Sequence, residues 1–167
     1  EDPEPGDLII LLGGDNYRIG MGGGAVSSVD TGQYSNAIEL NAVQRANPEM
    51  QKRVANVIRA MTENDTNPIR SIHDHGAGGH LNCLSELIDK SGGVINVDNL
   101  PVGDPTLSDK EIIGNESQER MGILVKKEDT EIIRITALRE RAPYLLVGES
   151  KDDQRLRFVR ENGENPI

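Results

Sequence analysis

Five side chains that could bind a metal or take part in acid–base chemistry lie within one short segment: His73, Asp74, His75, His80 and Cys83. If a strand ends at His-Asp-His, alternation places both histidines on one face and Asp74 on the other. The histidine pair would suit zinc only with added carboxylates, because the chain has three histidines in all. Asp74 is a natural oxygen ligand for Mg²⁺ beside substrate phosphates. The segment therefore indicates a zinc site, a magnesium site, or histidines that are structural or incidental.

Glycines dominate the stretch from Gly20 to Ala25, which formally matches the dinucleotide fingerprint G-x-G-x-x-A. The context does not fit, because that fingerprint should follow a strand at once and open an amphipathic helix. The glycines predict tight backbone packing or turns with positive φ. Alternatively, the backbone amides of Gly22, Gly23 and Gly24 could approach a phosphate or a reacting carbonyl.

Two polar runs offer further side chains to a ligand. In residues 44–49, Asn47 and Pro48 are typical of a helix start, and Gln44 could offer its amide to a ligand. Residues 115–120 precede an apolar stretch without any turn residue. This second run is either a solvated connector, with Arg120 paired to a glutamate, or a row of donors and acceptors that recognises a polar ligand.

The elements that must position these residues alternate between strands and helices. Strands are predicted at 8–12, 69–73, 94–97, 121–125, 144–147 and 156–159, and helices after Asn47, over 81–88, from Ser108 and over 129–141. In the last helix, the spacing favours Ile132, Ile135 and Leu138 as the inward face. The final two strands predict a terminal hairpin. The pattern indicates the α+β class, a mixed β-sheet packed with helices, in a single domain over residues 8–167 after a linker at 1–7.

Composition excludes several classes of partner. The 167 residues carry 28 acidic and 18 basic side chains, a formal net charge of −10, which argues against nucleic acid and anionic membranes as partners. No apolar run approaches the roughly 20 residues that span a bilayer. Aromatic residues make up 2%, so little is available for stacking on bases. Cys83, the sole cysteine, excludes an internal disulfide and suits a reducing, cytoplasmic compartment.

Five motifs, taken in order, resemble the large-type phosphoribosylformylglycinamidine synthase family, also called formylglycinamide ribonucleotide amidotransferase. They are GMGGGAVSS (20–28), VQRANPEM (43–50), IHDHGAGG (72–79), NESQER (115–120) and RERAPY (139–144). Together they span nearly the whole chain, which makes the resemblance far more specific than any one motif.

The resemblance implies a purine-biosynthesis ligase. Such an enzyme uses ATP, Mg²⁺ and glutamine to convert formylglycinamide ribonucleotide to formylglycinamidine ribonucleotide, with ADP, phosphate and glutamate as the other products. The chain would be the C-terminal subdomain of the first of two halves that resemble aminoimidazole ribonucleotide synthetase. Its glutaminase domain and most of its ATP site would lie elsewhere in a larger enzyme, so the excised chain would be inactive alone.

Site residues follow from the resemblance position by position, and no catalytic residue is among them. Gln44 matches a family glutamine that contacts the ribonucleotide, and Asp74 matches an aspartate that binds Mg²⁺. Glu116, Ser117 and Gln118 match a Glu-Ser-Gln triplet that lines the substrate site.

Two departures and two rival functions remain. His75 and His80 differ from the family pattern, and we expect them to make the pocket wall more polar. Cys83 has a spacing that suits packing and is not the glutaminase nucleophile. The rivals are an independent metal-dependent hydrolase that uses His73, Asp74 and His75, and a non-catalytic domain that binds a small molecule.

Overall fold

The computed structural model describes residues 2–43 and 47–164, apart from the side chain of Gln118. Within those ranges the strands are β1 (Leu8–Leu12), β2 (Ile69–His75), β3 (Gly93–Asn96), β4 (Ser117–Val125), β5 (Tyr144–Ser150) and β6 (Leu156–Val159). The α-helices are α1 (Gly23–Val26), α2 (Asn36–Ala42), α3 (Pro48–Thr62), α4 (Gly79–Leu87), α5 (Asp109–Gly114) and α6 (Thr130–Glu140). All six predicted strands are present, and β4 begins four residues earlier than its apolar run.

The strands form one mixed sheet in the order β2-β4-β1-β5-β3-β6. Neighbours are antiparallel except β3 and β6, which run parallel. The α+β prediction is therefore confirmed, but the predicted terminal hairpin is wrong. β5 pairs with β1 on one side and β3 on the other, so no edge of β5 is left for β6.

Helices cover both faces of the sheet, which explains the continuous apolar run of β1. Ile9 and Leu11 face a core that contains Leu84 and Leu87 of α4. The other side of β1 faces a second core, built from α3 and α6. Because successive side chains of a strand point to opposite faces, a strand buried on both faces needs apolar residues at every position.

Local capping confirms two predicted helix starts. The Asn47 side chain accepts a hydrogen bond from the Met50 amide at 3.1 Å, and Pro48 occupies the first turn of α3. Ser108 and Glu111 form a capping box at α5.

The segment ahead of β1 is hydrogen-bonded to the end of β5. The Gly6 amide donates to the Ser150 carbonyl at 3.1 Å, and the Ser150 amide donates to the Asp7 carbonyl at 2.9 Å. The assignment of residues 1–7 as a linker stays a prediction. No helix in the described ranges is long and apolar enough to cross a membrane.

The predicted inward face of α6 is wrong. Ile132, Ile135 and Leu138 are 48%, 54% and 72% exposed, whereas Ile133 and Ala137 are fully buried. Apolar residues lie on both sides of this helix, so spacing alone does not define its rotation. Ile133 and Ala137 instead pack in the core that contains Val54 and Val57 of α3, and this packing selects the opposite face.

We expect the neighbouring isoleucines of α6 to differ sharply in their contribution to stability. Ile133→Ala leaves a cavity in the core and should lower the free energy of unfolding by about 2–5 kcal/mol. Ile132→Ala removes a half-exposed side chain and should lower it by less than about 1 kcal/mol. Urea unfolding of this chain measures both, and equal losses would contradict the observed rotation of α6.

Candidate functional site

The site is organised by an irregularity in the pairing of β2 with β4. Asp74 lies opposite Met121, but the next residue, His75, lies opposite Ser117. The extra residues of β4 therefore bulge out of register, as strands often do next to active sites. This bulge brings the polar start of β4 beside the loop that follows β2.

Glu116 joins two glycine-rich loops that the sequence analysis treated separately. We call residues 20–24 the first glycine loop and residues 76–79 the second. Glu116 Oε2 accepts the Gly24 amide at 3.0 Å, and Oε1 accepts the Gly78 amide at 3.1 Å. The Glu116 amide in turn donates to the Gly20 carbonyl at 2.8 Å.

The glycines of the first loop allow this close approach. A Cβ on Gly23 would lie 2.7 Å from the Ala42 carbonyl oxygen and 2.9 Å from Glu116 Oε2. Gly20 has φ +76°, and a Cβ there would lie 2.2 Å from the Glu116 carbonyl oxygen. Tight packing and positive φ, one of the two sequence interpretations, are therefore observed. That Gly22, Gly23 and Gly24 provide backbone contacts to a ligand stays a prediction. The Gly24 amide already donates to Glu116.

Asp74 is exposed at the carboxyl end of β2, where its Oδ1 accepts the Gly76 amide at 2.7 Å. Among the described residues, no group of three histidine, cysteine, aspartate or glutamate side chains is arranged to hold a metal. An exposed hard carboxylate of this kind fits Mg²⁺, which is commonly held by one or two carboxylates together with substrate phosphates.

The two neighbouring histidines do not share a site with Asp74. His73 Nδ1 lies 2.9 Å from Glu86 Oε2, and His75 is fully buried. The described geometry gives no support to a hydrolase centre built from His73, Asp74 and His75.

His75 and His80 lie in the core and do not line a pocket wall, so that expectation is wrong. Both are fully buried, with ring centroids 4.6 Å apart in an edge-to-face arrangement. His75 Nδ1 lies 3.3 Å from the Arg120 carbonyl oxygen, to which it donates. Arg120 Nη1 and Asn16 Nδ2 each lie 3.3 Å from His80 Nε2. Since both of these groups can only donate, Nε2 accepts, and His80 is neutral.

Burial determines the protonation of both histidines. It lowers the pKa of His75 well below its ordinary value, and the Arg120 charge lowers it further. Burial is also the largest cause that lowers the pKa of His80, followed by His75 and Arg120. The Arg120 guanidinium is itself fully buried and donates from Nε to the Gly14 carbonyl at 3.2 Å. A buried cation next to two imidazoles favours their neutral forms.

We predict that this pair makes the fold less stable as pH falls from about 6.5 towards 5. The folded pKa values lie below the unfolded value of about 6.5, so the unfolded chain binds more protons in this window and stability rises with pH. Each histidine can add up to about 1.4 kcal/mol per pH unit to the slope. Denaturant unfolding between pH 5 and 7.5 should give a flatter profile for the double variant His75→Gln/His80→Asn.

The exposed Gln51 of α3 supplies the control, because Gln51→Asn changes no titratable group and should keep the wild-type slope. Equal slopes for the double variant and the wild type would rule out the buried pair as the source.

Cys83 behaves as a core residue. Burial raises the pKa of its thiol to about 12, and Sγ donates to the His73 carbonyl at 3.4 Å. A thiol with this pKa is not a nucleophile at neutral pH, in agreement with the packing role expected from its spacing.

The structure describes only some of the remaining predicted site residues. Ser117 opens β4 and is buried, opposite His75. Gln118 continues β4, with its side chain outside the described part, and Gln44 lies outside the described residues altogether. The structure thus gathers Asp74, Ser117 and both glycine loops around Glu116. The sequence did not predict that Glu116 joins the two loops. The only signal was a glutamate in a polar run that follows both glycine motifs, and that signal is weak.

The described part of the site does not enclose a ligand. The cleft lined by Asp15, Tyr17, Ile19, Asn115, Glu116 and Ser117 is too narrow to hold even a water molecule. Ligand pockets usually span about 300–1,000 Å³, so this cleft is too small to enclose a ribonucleotide. A larger ligand would have to lie across the loops and be covered by other protein.

Comparisons with known proteins place this α+β domain in a family. Residues 4–161 match the family "AIR synthase related protein, C-terminal domain", and the chain belongs to that family. It is also similar to the phosphoribosylformylglycinamidine synthase of Homo sapiens, with 42% identity over 169 residues, covering 100% of the chain and 13% of that relative. A probable chloroplastic/mitochondrial phosphoribosylformylglycinamidine synthase of Arabidopsis thaliana is 46% identical over 148 residues, covering 88% of the chain and 10% of the relative.

A solved structure agrees with these relatives. T. maritima PurL complexed with FGAR superposes with a TM-score of 0.86 at 27% identity, covering 98% of this chain and 27% of that one. The chain thus spans only a small part of the proteins that it matches.

Proposed function

We propose that this chain is part of a purine-biosynthesis ligase that converts formylglycinamide ribonucleotide, glutamine and ATP to formylglycinamidine ribonucleotide. The observation that carries the proposal is the 42% identity to the human synthase across the entire chain. The T. maritima PurL structure with FGAR supports the substrate, and a further structure of that protein is complexed with ATP. Mg²⁺ and glutamine as the nitrogen donor belong to the proposal.

The chemistry explains why such a site needs positioning more than reactive side chains. An amide oxygen is a poor leaving group, so its phosphorylation by ATP gives an iminophosphate, from which ammonia displaces phosphate. Phosphoryl transfer depends mainly on alignment and charge neutralisation. Mg²⁺ would supply that neutralisation, and the exposed Asp74 carboxylate would hold it.

We assign recognition of the ribonucleotide to the polar start of β4. Ser117 and Gln118 would offer uncharged donors and acceptors from the strand, with Glu116 beside them and with Gln44 from the polar run at 44–49. Groups placed on a strand are held more rigidly than groups on a loop. The cleft at Glu116 and Ser117 is too small to enclose this ligand, which accords with a ligand covered by other domains.

Other parts of the enzyme would complete the site. We infer that the glutaminase, with its own cysteine nucleophile, and most of the ATP site lie in other domains of the same polypeptide. The similar folds include the structure of PurLQS from Thermotoga maritima. We propose the cytoplasm as the compartment, although the Arabidopsis relative is described as chloroplastic/mitochondrial.

We expect this chain alone to release no phosphate above the blank when it is incubated with formylglycinamide ribonucleotide, ATP, Mg²⁺ and ammonium. The longer polypeptide that carries it should turn over the same mixture, and should also use glutamine. Turnover by the chain alone would contradict the assignment as a subdomain, and inactivity of the longer polypeptide would contradict the proposed function.

Asp74→Asn in that longer polypeptide should keep the fold and lose most activity. The amide removes the negative charge that Mg²⁺ prefers, so the Mg²⁺ concentration for half-maximal rate should rise about tenfold or more. Asp152→Asn, at an exposed turn, is the matched control and should leave both quantities unchanged. Wild-type kinetics for Asp74→Asn would remove the metal assignment.

A further inference from the structure

We propose that Glu116 is a positioning residue: its carboxylate clamps the two glycine loops to the start of β4 and does not itself bind substrate. The clamp itself involves only residues of this chain, whereas its effect on catalysis rests on the proposed function. The resemblance groups Glu116 with Ser117 and Gln118 as substrate contacts, whereas both carboxylate oxygens of Glu116 accept backbone amides of the protein.

Backbone amides of the protein already occupy both carboxylate oxygens of Glu116. Oε2 accepts from Gly24, 92 residues away in sequence, and Oε1 accepts from Gly78, 38 residues away. Only 4% of Glu116 is exposed. Hydrogen bonds from backbone amides to a charged, buried acceptor are among the stronger ones in proteins.

The clamp also involves the helix that begins at the second loop. Gly78 is the N-cap of the nine-residue α4, and no side chain of its own caps that end. A helix N-terminus favours a nearby negative charge. The Glu116 carboxylate supplies that charge from another part of the chain, so the clamp also sets the start of α4.

The two glycine loops also approach each other closely. A Cβ on Gly24 would lie 2.8 Å from Ala77 Cβ, and one on Gly23 would lie 2.9 Å from Glu116 Oε2. The loops can therefore meet around the carboxylate only because these positions are glycine. Asn115, the residue before Glu116, donates to the Ile19 carbonyl at 2.6 Å and ties down the entry to the first loop.

The clamp links groups that must act together. Asp74 bonds to the Gly76 amide at the start of the second loop, and Ser117 directly follows Glu116. If the clamp opens, Asp74 moves relative to the start of β4. Small displacements of this kind reduce turnover more than they reduce binding of one substrate.

Amide hydrogen exchange in this chain tests the clamp directly. In the wild type, the Gly24 and Gly78 amides should both exchange at least about tenfold more slowly than unstructured amides. Glu116→Gln replaces one acceptor oxygen by a donor, so at least one of the two amides should exchange about 10- to 100-fold faster than in the wild type. The control Glu128→Gln removes the same charge at an exposed position and should change neither amide.

A second variant loosens the clamp without touching the glutamate. Gly23→Ala should speed exchange at Gly24 and Gly78, whereas Gly114→Ala, with open space around its Cβ, should not. If Glu116→Gln fails to fold, the exchange rates of the wild type and of Gly23→Ala decide whether the clamp exists. Unprotected amides in the wild type, or wild-type exchange in the variants, would overturn the clamp.

Kinetics of the longer polypeptide test the consequence. Glu116→Gln should lower kcat and raise the Mg²⁺ requirement, while KM for the ribonucleotide changes less than about threefold. A raised KM with unchanged kcat and unchanged amide exchange would make Glu116 a substrate contact and overturn the proposal. If the wild-type polypeptide does not use formylglycinamide ribonucleotide, the proposed function fails, and the exchange experiments still decide the clamp.

Discussion

The pairing of β4 with both β1 and β2 is the constraint on which the rest of the molecule depends. Its apolar half pairs with β1 without a shift over residues 121–125 and with β2 without a shift over residues 121–124, and Ile123 and Leu124 are fully buried in the two cores. Its polar half is out of register with β2, because His75 pairs with Ser117. The rigid half therefore fixes where the irregular half emerges, and the irregular half carries the groups that define the site.

Local sequence signals predicted those parts of the fold that local interactions determine. The caps at Asn47 and Ser108 are hydrogen bonds over three residues, and β1 is recognised by its uninterrupted apolar run. The rotation of α6 and the position of β6 beside β3 depend on packing between distant segments. No spacing rule contains that information, so both predictions were wrong.

The same distinction applies to the site. Motif positions identified the loop at Asp74 and the polar start of β4, because their residue types are unusual next to apolar strands. The link between them could not be predicted, since one glutamate reaches backbone amides in two segments far away in sequence. The burial of His75 and His80 was missed for a related reason. They are accommodated by Asn16 and by a fully buried arginine, whereas polar residues next to a loop are otherwise expected at the surface.

Charge explains why this domain would need both metal and other protein around a phosphorylated substrate. The chain has a formal net charge of −10, and carboxylates border the site at Asp15, Asp74 and Glu116. The nearby Arg120 is fully buried and engaged with the Gly14 carbonyl and His80, so its charge acts on the core. Phosphates brought to this surface would meet repulsion unless a divalent cation at Asp74 and cationic groups from elsewhere balance them. An acidic surface whose loops are fixed by hydrogen bonds to Glu116 would align such a substrate, and the neutralising charge would come from the proposed metal and covering domains.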